Sequence, residues 1–279
     1  MRSDVGLRDF GPIKERKAQK MNNPVVMIGI GEIGGVLARG CLRRGYPLYP
    51  VTRRIPMAEV AEQVPDPEAV VVAVGEKDLA AVLASLPEGW KDRLVLLQNE
   101  LLPKAWQDHG IINPTVISIW FEKKPGRDVK VIIPSPIYGP KARWLREVLA
   151  AVSVPGVVLE NEEELLFELV LKNVYILTTN IAGLVTGATV RDLWERHQDL
   201  ALRVARDVMD IQFALIKKDL DRDRLLQGMR AAFAGDWDHQ CQGRSAPARL
   251  QRALRQAEDL GVVVETLRSI QADSARAGT

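Results

Sequence analysis

Val-Val-Met-Ile-Gly-Ile-Gly-Glu-Ile-Gly, residues 25–34, decides the fold. An apolar run from Val25 to Ile30 meets glycines at positions 29, 31 and 34, and an amphipathic stretch from Glu32 to Arg44 opens among them. The order is strand, sharp turn, helix. The alternation continues outward: Leu48 to Thr52 predicts a second strand, Met57 to Val64 a second helix, and Val70 to Val74 and Leu94 to Gln98 two further strands. These runs are rich in Val and Leu without polar alternation, as strands covered on both faces of a parallel sheet should be. Pro65, Pro67, Pro87, Pro103 and Pro114 fall at loop or helix-start positions. Val116 to Phe121 and Val129 to Ile133 read as strands, Pro134 to Pro140 as a turn-rich connection, Lys141 to Ala151 as a helix, and Val157 to Leu159 as a last strand.

After Glu160 the pattern changes. No strand-like run is longer than Val262 to Val264, and 3.6-residue periodicity continues almost to the end. The reading is an α/β chain in three parts: a flexible extension at 1–23, a doubly wound Rossmann-type domain at 24–160, and an all-helical domain at 161–279 that shapes the substrate site and a dimer contact. Glu162 to Gly187 predicts one long helix and Arg191 to Lys218 another. The crevice between the two domains is the expected ligand site.

Composition bounds the function. With 279 residues, 47% hydrophobic and 27% charged, the chain resembles ordinary globular proteins, and a formal net charge of +2 gives no drive toward nucleic acid. Cys41 and Cys241 are too far apart for a disulfide framework or a CxxC site, which points to a reducing cytoplasm. Residues 1–20 carry Arg8, Lys14, Arg16, Lys17 and Lys20 and no apolar core of signal-peptide length. Leu165 to Ala188 is apolar but interrupted by Glu168, Lys172, Asn173 and Asn180, so it reads as a helix buried in protein and not as a membrane span.

The glycine turn is the cofactor signal. Gly29 permits the tight turn, Gly31 the approach of a pyrophosphate, and Gly34 close packing of helix on strand, while Ile30, Glu32 and Ile33 complete the loop whose amides face the phosphates. An NAD-binding protein places an acid on the ribose roughly twenty residues later. This chain reads Val51-Thr52-Arg53-Arg54 instead, and two guanidiniums suit a 2′-phosphate, so the expected cofactor is NADP. Two loop arginines facing solvent are the plain alternative.

Lys172 sits near the middle of the most apolar helix, with Thr179 and Asn180 two turns on along the same face. A desolvated lysine is a candidate proton donor, and the group could grip a substrate oxygen. Read by residue type alone, Lys172 pairs with Glu168 or reaches an edge.

Taken together, residues 24–270 resemble the ketopantoate reductase family. The resemblance is carried by the Gly29–Gly34 loop, the basic end of the second strand, Gln98-Asn99 after a Leu-rich strand, and Lys172 with Asn180. It implies an NADP-binding Rossmann domain joined to a helical domain of the 6-phosphogluconate dehydrogenase C-terminal type. It also implies a small keto acid or related carbonyl substrate and a possible homodimer. On the resemblance, Lys172 is the general acid, Asn180 a substrate ligand, Asn99 a group that positions the reacting pair, and Val74 part of the cofactor site. The chain departs from the family at four places. Glu100 follows Asn99 where glycine is usual; Val74-Gly75 ends the third strand where a lysine is common; Ile176 stands where a second asparagine is; and Gly243 to Arg249 lacks the family's late glutamate, which binds a substrate hydroxyl. The departures leave open a non-catalytic NADP-binding sensor or scaffold and an imine reductase on the same architecture.

His239, Gln240 and Cys241 lie with Asp236 and Asp238 in a turn-like segment without zinc-ligand spacing, so no metal is expected, and His239 or Gln240 could touch substrate instead. Trp90, Trp106, Trp120, Trp144, Trp194 and Trp237 have no common spacing and read as core or interface residues. Gly183 and Gly187 read as sites of close helix packing.

Overall fold

The computed structural model describes residues 22–277, so residues 1–21 of the expected extension lie outside the described residues. β1 (Val25–Ile28) is buried along its whole length and feeds through the glycine turn into α1 (Glu32–Arg43). Gly29 takes φ +88°, and a Cβ on Gly34 would stand 2.6 Å from the Gly29 carbonyl oxygen. Both positions therefore require glycine for the turn itself.

β2 (Leu48–Val51), α2 (Met57–Gln63), β3 (Ala69–Val72), α3 (Glu76–Ala84), β4 (Leu94–Leu96), the short α4 (Lys104–Gln107) and β5 (Thr115–Ile117) follow, with a 3-10 turn at Glu88–Arg93 before β4. β1 to β5 are parallel and stand in the order β2-β1-β3-β4-β5. The order reverses between β1 and β3, and in a doubly wound sheet that switch point opens a crevice at the carboxyl ends of the strands. The glycine turn leaves one side of it and Val74-Gly75 the other.

The segment after β5 departs from the sequence reading. Val116 to Phe121 is not one strand: β5 ends at Ile117, and β6 (Phe121–Glu122) pairs with β7 (Lys130–Val131) in a separate two-stranded hairpin. Pro134 to Pro140 is not simply a turn, because β8 (Ser135–Tyr138) runs antiparallel beside β5. Pro136 has no N–H to give, yet its carbonyl accepts from the Ser118 amide at 3.0 Å, so a proline is tolerated there. α5 (Ala142–Ala150) then packs across α1, and β9 (Gly156–Val158) closes the main sheet at its edge.

α6 (Glu162–Thr186) begins four residues later and is the axis of everything that follows. Asn161 caps it by accepting from the Glu164 amide at 2.9 Å, and Glu164 reaches back to the Glu160 amide at 3.0 Å. Gly187 ends it at φ +60° with open space around it, so this glycine serves the left-handed cap and not helix packing. Gly183 does permit close approach: a Cβ there would stand 2.8 Å from the Gln242 amide. The helix is long and apolar enough to cross a membrane, but 89% of its most apolar window is buried against its neighbours.

Those neighbours are α8 (Gln198–Ile216), α9 (Arg222–Gly235), α10 (Ala246–Leu260) and α11 (Glu265–Ala277), with α7 (Val190–Arg196) at the start. The single helix expected from Arg191 to Lys218 is two, broken at His197, whose φ −129° and ψ 28° leave the helical region.

Candidate active site

The carboxyl ends of β1, β3 and β4 open into a cleft of about 590 Å³, walled on the far side by α6 and the segment leading into α10. Gly31, Glu32, Ile33, Val74, Asn99, Lys172 and Asn180 all line it. Gly29 and Gly34 shape the turn behind that lining. Ile30 is largely exposed, and Arg53 and Arg54 lie outside the cleft at the exposed tip after β2.

The residues fit a dinucleotide. Gly31 is the N-cap of α1 and offers no side-chain cap, and a Cβ placed on it would meet nothing within 4 Å. An uncapped helix start facing open space is where phosphate oxygens are held. The Glu32 carboxylate in that first turn would oppose an anion, but the Lys123 ammonium lies 3.3 Å away and compensates it. At the tip after β2, the Thr52 hydroxyl accepts from the amides of Arg54 and Ile55, each at 3.2 Å, which fixes the turn. Among the described residues neither arginine side chain has an ion-pair partner, so both guanidiniums are available to an external anion. Gln98 holds the loops around the crevice: its amide donates to the Val72 carbonyl at 2.7 Å and to the Val74 carbonyl at 3.2 Å.

Lys172 is 8% exposed and has no carboxylate partner among the described residues; the charge beside Glu168 is that of Arg224. Its ammonium nitrogen instead stands 4.0 Å from the ring centre of Trp120 and 5.6 Å from that of Tyr175. Burial, aided by the positive charge of Arg249, lowers its pKa to about 7. Trp120, placed in the core by its sequence, is thus also the floor under the lysine.

Two asparagines flank this group through one network that sequence reading missed. Asn99 donates to Glu76 at 3.1 Å; Arg249 donates to Glu76 at 3.3 Å, to Glu100 at 2.9 Å and to Asn180 at 2.7 Å; Asn180 donates to the Cys241 carbonyl at 3.2 Å. Glu100 takes φ +56°, a left-handed conformation that costs a non-glycine residue about 1 kcal/mol or more. Arg252 adds two bonds to the same carboxylate, at 2.8 and 2.6 Å, so two guanidiniums hold it in place.

His239, Glu122 and Asp236 also converge, with their ligating atoms within 4.8 Å of one another. The buried Asp236 carboxylate already has the Lys130 ammonium at 2.6 Å, and Lys124 lies 3.2 Å from Glu122. Burial holds the His239 imidazole below its usual pKa despite these acids, so it is a neutral wall of the cleft.

No protein-family model matches the sequence, and no curated protein matches it. Solved structures do. 2-Dehydropantoate 2-reductase from Methylococcus capsulatus is 12% identical, with 91% of this chain and 96% of that chain covered and a TM-score of 0.65. A dimeric ketopantoate reductase from Staphylococcus aureus is 14% identical, with coverage of 91% and 98% and a TM-score of 0.62. D-Mandelate dehydrogenase, solved with NADH, is 12% identical, with coverage of 91% and 98% and a TM-score of 0.65. Across nearly its whole described length, this chain has the fold of the ketopantoate reductases.

Proposed function

We propose that the protein is an NADPH-dependent reductase acting on a small carbonyl-bearing acid, with a Rossmann-type cofactor domain at 24–160 and a helical domain at 161–279. The observation that carries the reading is Lys172: an ammonium buried in the cleft, with no acid paired to it among the described residues and a pKa near 7. A structural lysine gains from an ion pair or from solvent, and this one has neither.

Bound NADPH would supply a hydride to the carbonyl carbon. The chain's part is to hold and move a proton. The Lys172 ammonium donates it to the carbonyl oxygen as that oxygen gains charge. Trp120 and Tyr175 keep water from the ammonium, and Asn99 and Asn180, fixed through Glu76 and Arg249, position the reacting pair. Gly31 and the first amides of α1 hold the pyrophosphate, with Gly29, Ile30, Glu32, Ile33, Gly34 and Val74 forming its surroundings. Arg53 and Arg54 take the 2′-phosphate. The dimeric S. aureus neighbour and the two buried free thiols suit a cytoplasmic homodimer.

Two glycines separate binding from folding. Gly31→Val should cost no more than about 1 kcal/mol, the loss of a favourable N-cap residue where a Cβ meets nothing within 4 Å, yet NADPH affinity should collapse. Gly34→Val should cost at least about 2 kcal/mol by forcing α1 off β1. Thermal melts with and without NADPH read both effects; equal destabilisation would contradict the assigned role of Gly31.

Turnover tests the reading as a whole. NADPH oxidation at 340 nm should appear with at least one member of a panel of 2-oxo acids and 2-oxo amides. Binding of NADPH with no oxidation by any of them would make the protein a non-catalytic NADP binder, and oxidation only with imines formed from added amines would make it an imine reductase.

A further inference from the structure

Arg249 stands in the first turn of α10 and lines the same cleft as Lys172 and Asn180, with its side chain 11% exposed. A guanidinium has five N–H donors in one plane. Three are used: Nε on Glu100, one terminal nitrogen on Asn180 and the other on Glu76. Among the described residues, neither terminal nitrogen has a second acceptor. The three bonds fix the plane of the group, so little side-chain freedom would be lost when a ligand arrives.

Arg249 and Arg252 face Glu76 and Glu100, so this cluster is neutral by itself. Glu100 is divided between Arg249 and Arg252, Asn180 is neutral, and Glu76 is 3.3 Å away and also accepts from Asn99. The charge of Arg249 reaches Lys172, which itself has no acid partner among the described residues. With Lys172 protonated, the inner cleft therefore carries a net positive charge.

We propose that Arg249 anchors a carboxylate of the substrate, so that a 2-oxo acid is gripped by its acid group while its carbonyl oxygen is presented to Lys172. The proposal rests on the reductase reading above. A carboxylate matches the planar donor fork and answers the positive charge that protonated Lys172 adds to a balanced Arg–Glu cluster, whereas a hydroxyl or an amide does neither.

The test uses oxamate and oxamide, a pair in which a carboxylate is exchanged for a carboxamide. Calorimetric titration of the NADPH-loaded wild type should show oxamate binding about 100-fold more tightly than oxamide, as expected for loss of a charge-assisted pair. Arg249→Gln should bind the two alike. Arg249→Lys keeps charge without the fork; it should retain an intermediate preference, and it decides the matter should Arg249→Gln not fold. Arg252→Gln, which leaves Glu100 wholly to Arg249 but removes no cleft group, should lower the preference by much less than Arg249→Gln does. Undiminished preference in Arg249→Gln, equal loss in Arg252→Gln, or no oxamate preference in a wild type that does bind NADPH would each overturn the anchor. Failure to bind NADPH at all would instead overturn the reductase reading.

Discussion

Lys172→Met is expected to lower kcat for carbonyl reduction by about a hundred- to ten-thousand-fold, the usual worth of a positioned general acid, and at the same time to make the protein more stable at pH 6. Both effects follow from the same burial. In the unfolded chain the lysine titrates at 10.5 and in the folded protein at about 7. Below pH 7 both states are protonated, and folding bears the whole cost of burying the ammonium. Between pH 7 and 10.5 the unfolded chain binds more protons, so this penalty is relieved as pH rises. Methionine fills the same space against Trp120 without charge. Its stabilising effect should therefore be on the order of a few kcal/mol at pH 6 and close to nothing only above about pH 11. NADPH affinity should be unchanged. In the wild type, kcat/KM for reduction should be level below about pH 7 and fall tenfold per pH unit above it, because the donor must carry its proton. A variant with wild-type turnover, or a profile flat to pH 9, would remove Lys172 from the chemistry.

The double variant Arg53→Ala, Arg54→Ala should lose about 100-fold in affinity for NADPH and nothing for NADH. A hydrogen bond to a charged group is worth about 1.5–3 kcal/mol, and exposure to solvent reduces that for each arginine. Neither side chain has an internal ion-pair partner among the described residues, so their removal leaves no buried charge stranded and the fold should be unaffected. Wild-type NADPH affinity should also weaken with salt more steeply than that of the variant. An unchanged ratio of NADPH to NADH affinity would mean that the two arginines merely face water.

What could be read from the sequence was what is local. The strand, glycine turn and helix at 25–43 are specified by neighbours within a few residues, as is the extent of α6, although Gly187, which reads as a packing site, proves to be its left-handed cap. Lys172 was visible because an apolar helix makes a charge conspicuous. The missed strand β8 carries a proline that suits turns better than sheets, and its pairing with β5 comes from a segment about twenty residues earlier. The break at His197 has no proline or glycine to mark it. The network around Arg249 was invisible for a different reason: Arg249 and Glu100 lie 149 residues apart, and nothing in the spacing of either says that they meet. Absence of the late glutamate was legible; the cation that occupies the cleft there required the fold.

Cofactor binding by the glycine turn is tested most directly by one titration. Purified wild-type protein would be titrated with NADPH and with NADH, following nicotinamide fluorescence. Tight binding of NADPH, clearly preferred over NADH, is the result expected from an open Gly31, an uncapped α1 and two free arginines. Binding of neither nucleotide would mean that the glycine turn serves only the fold, and the reductase reading would go with it.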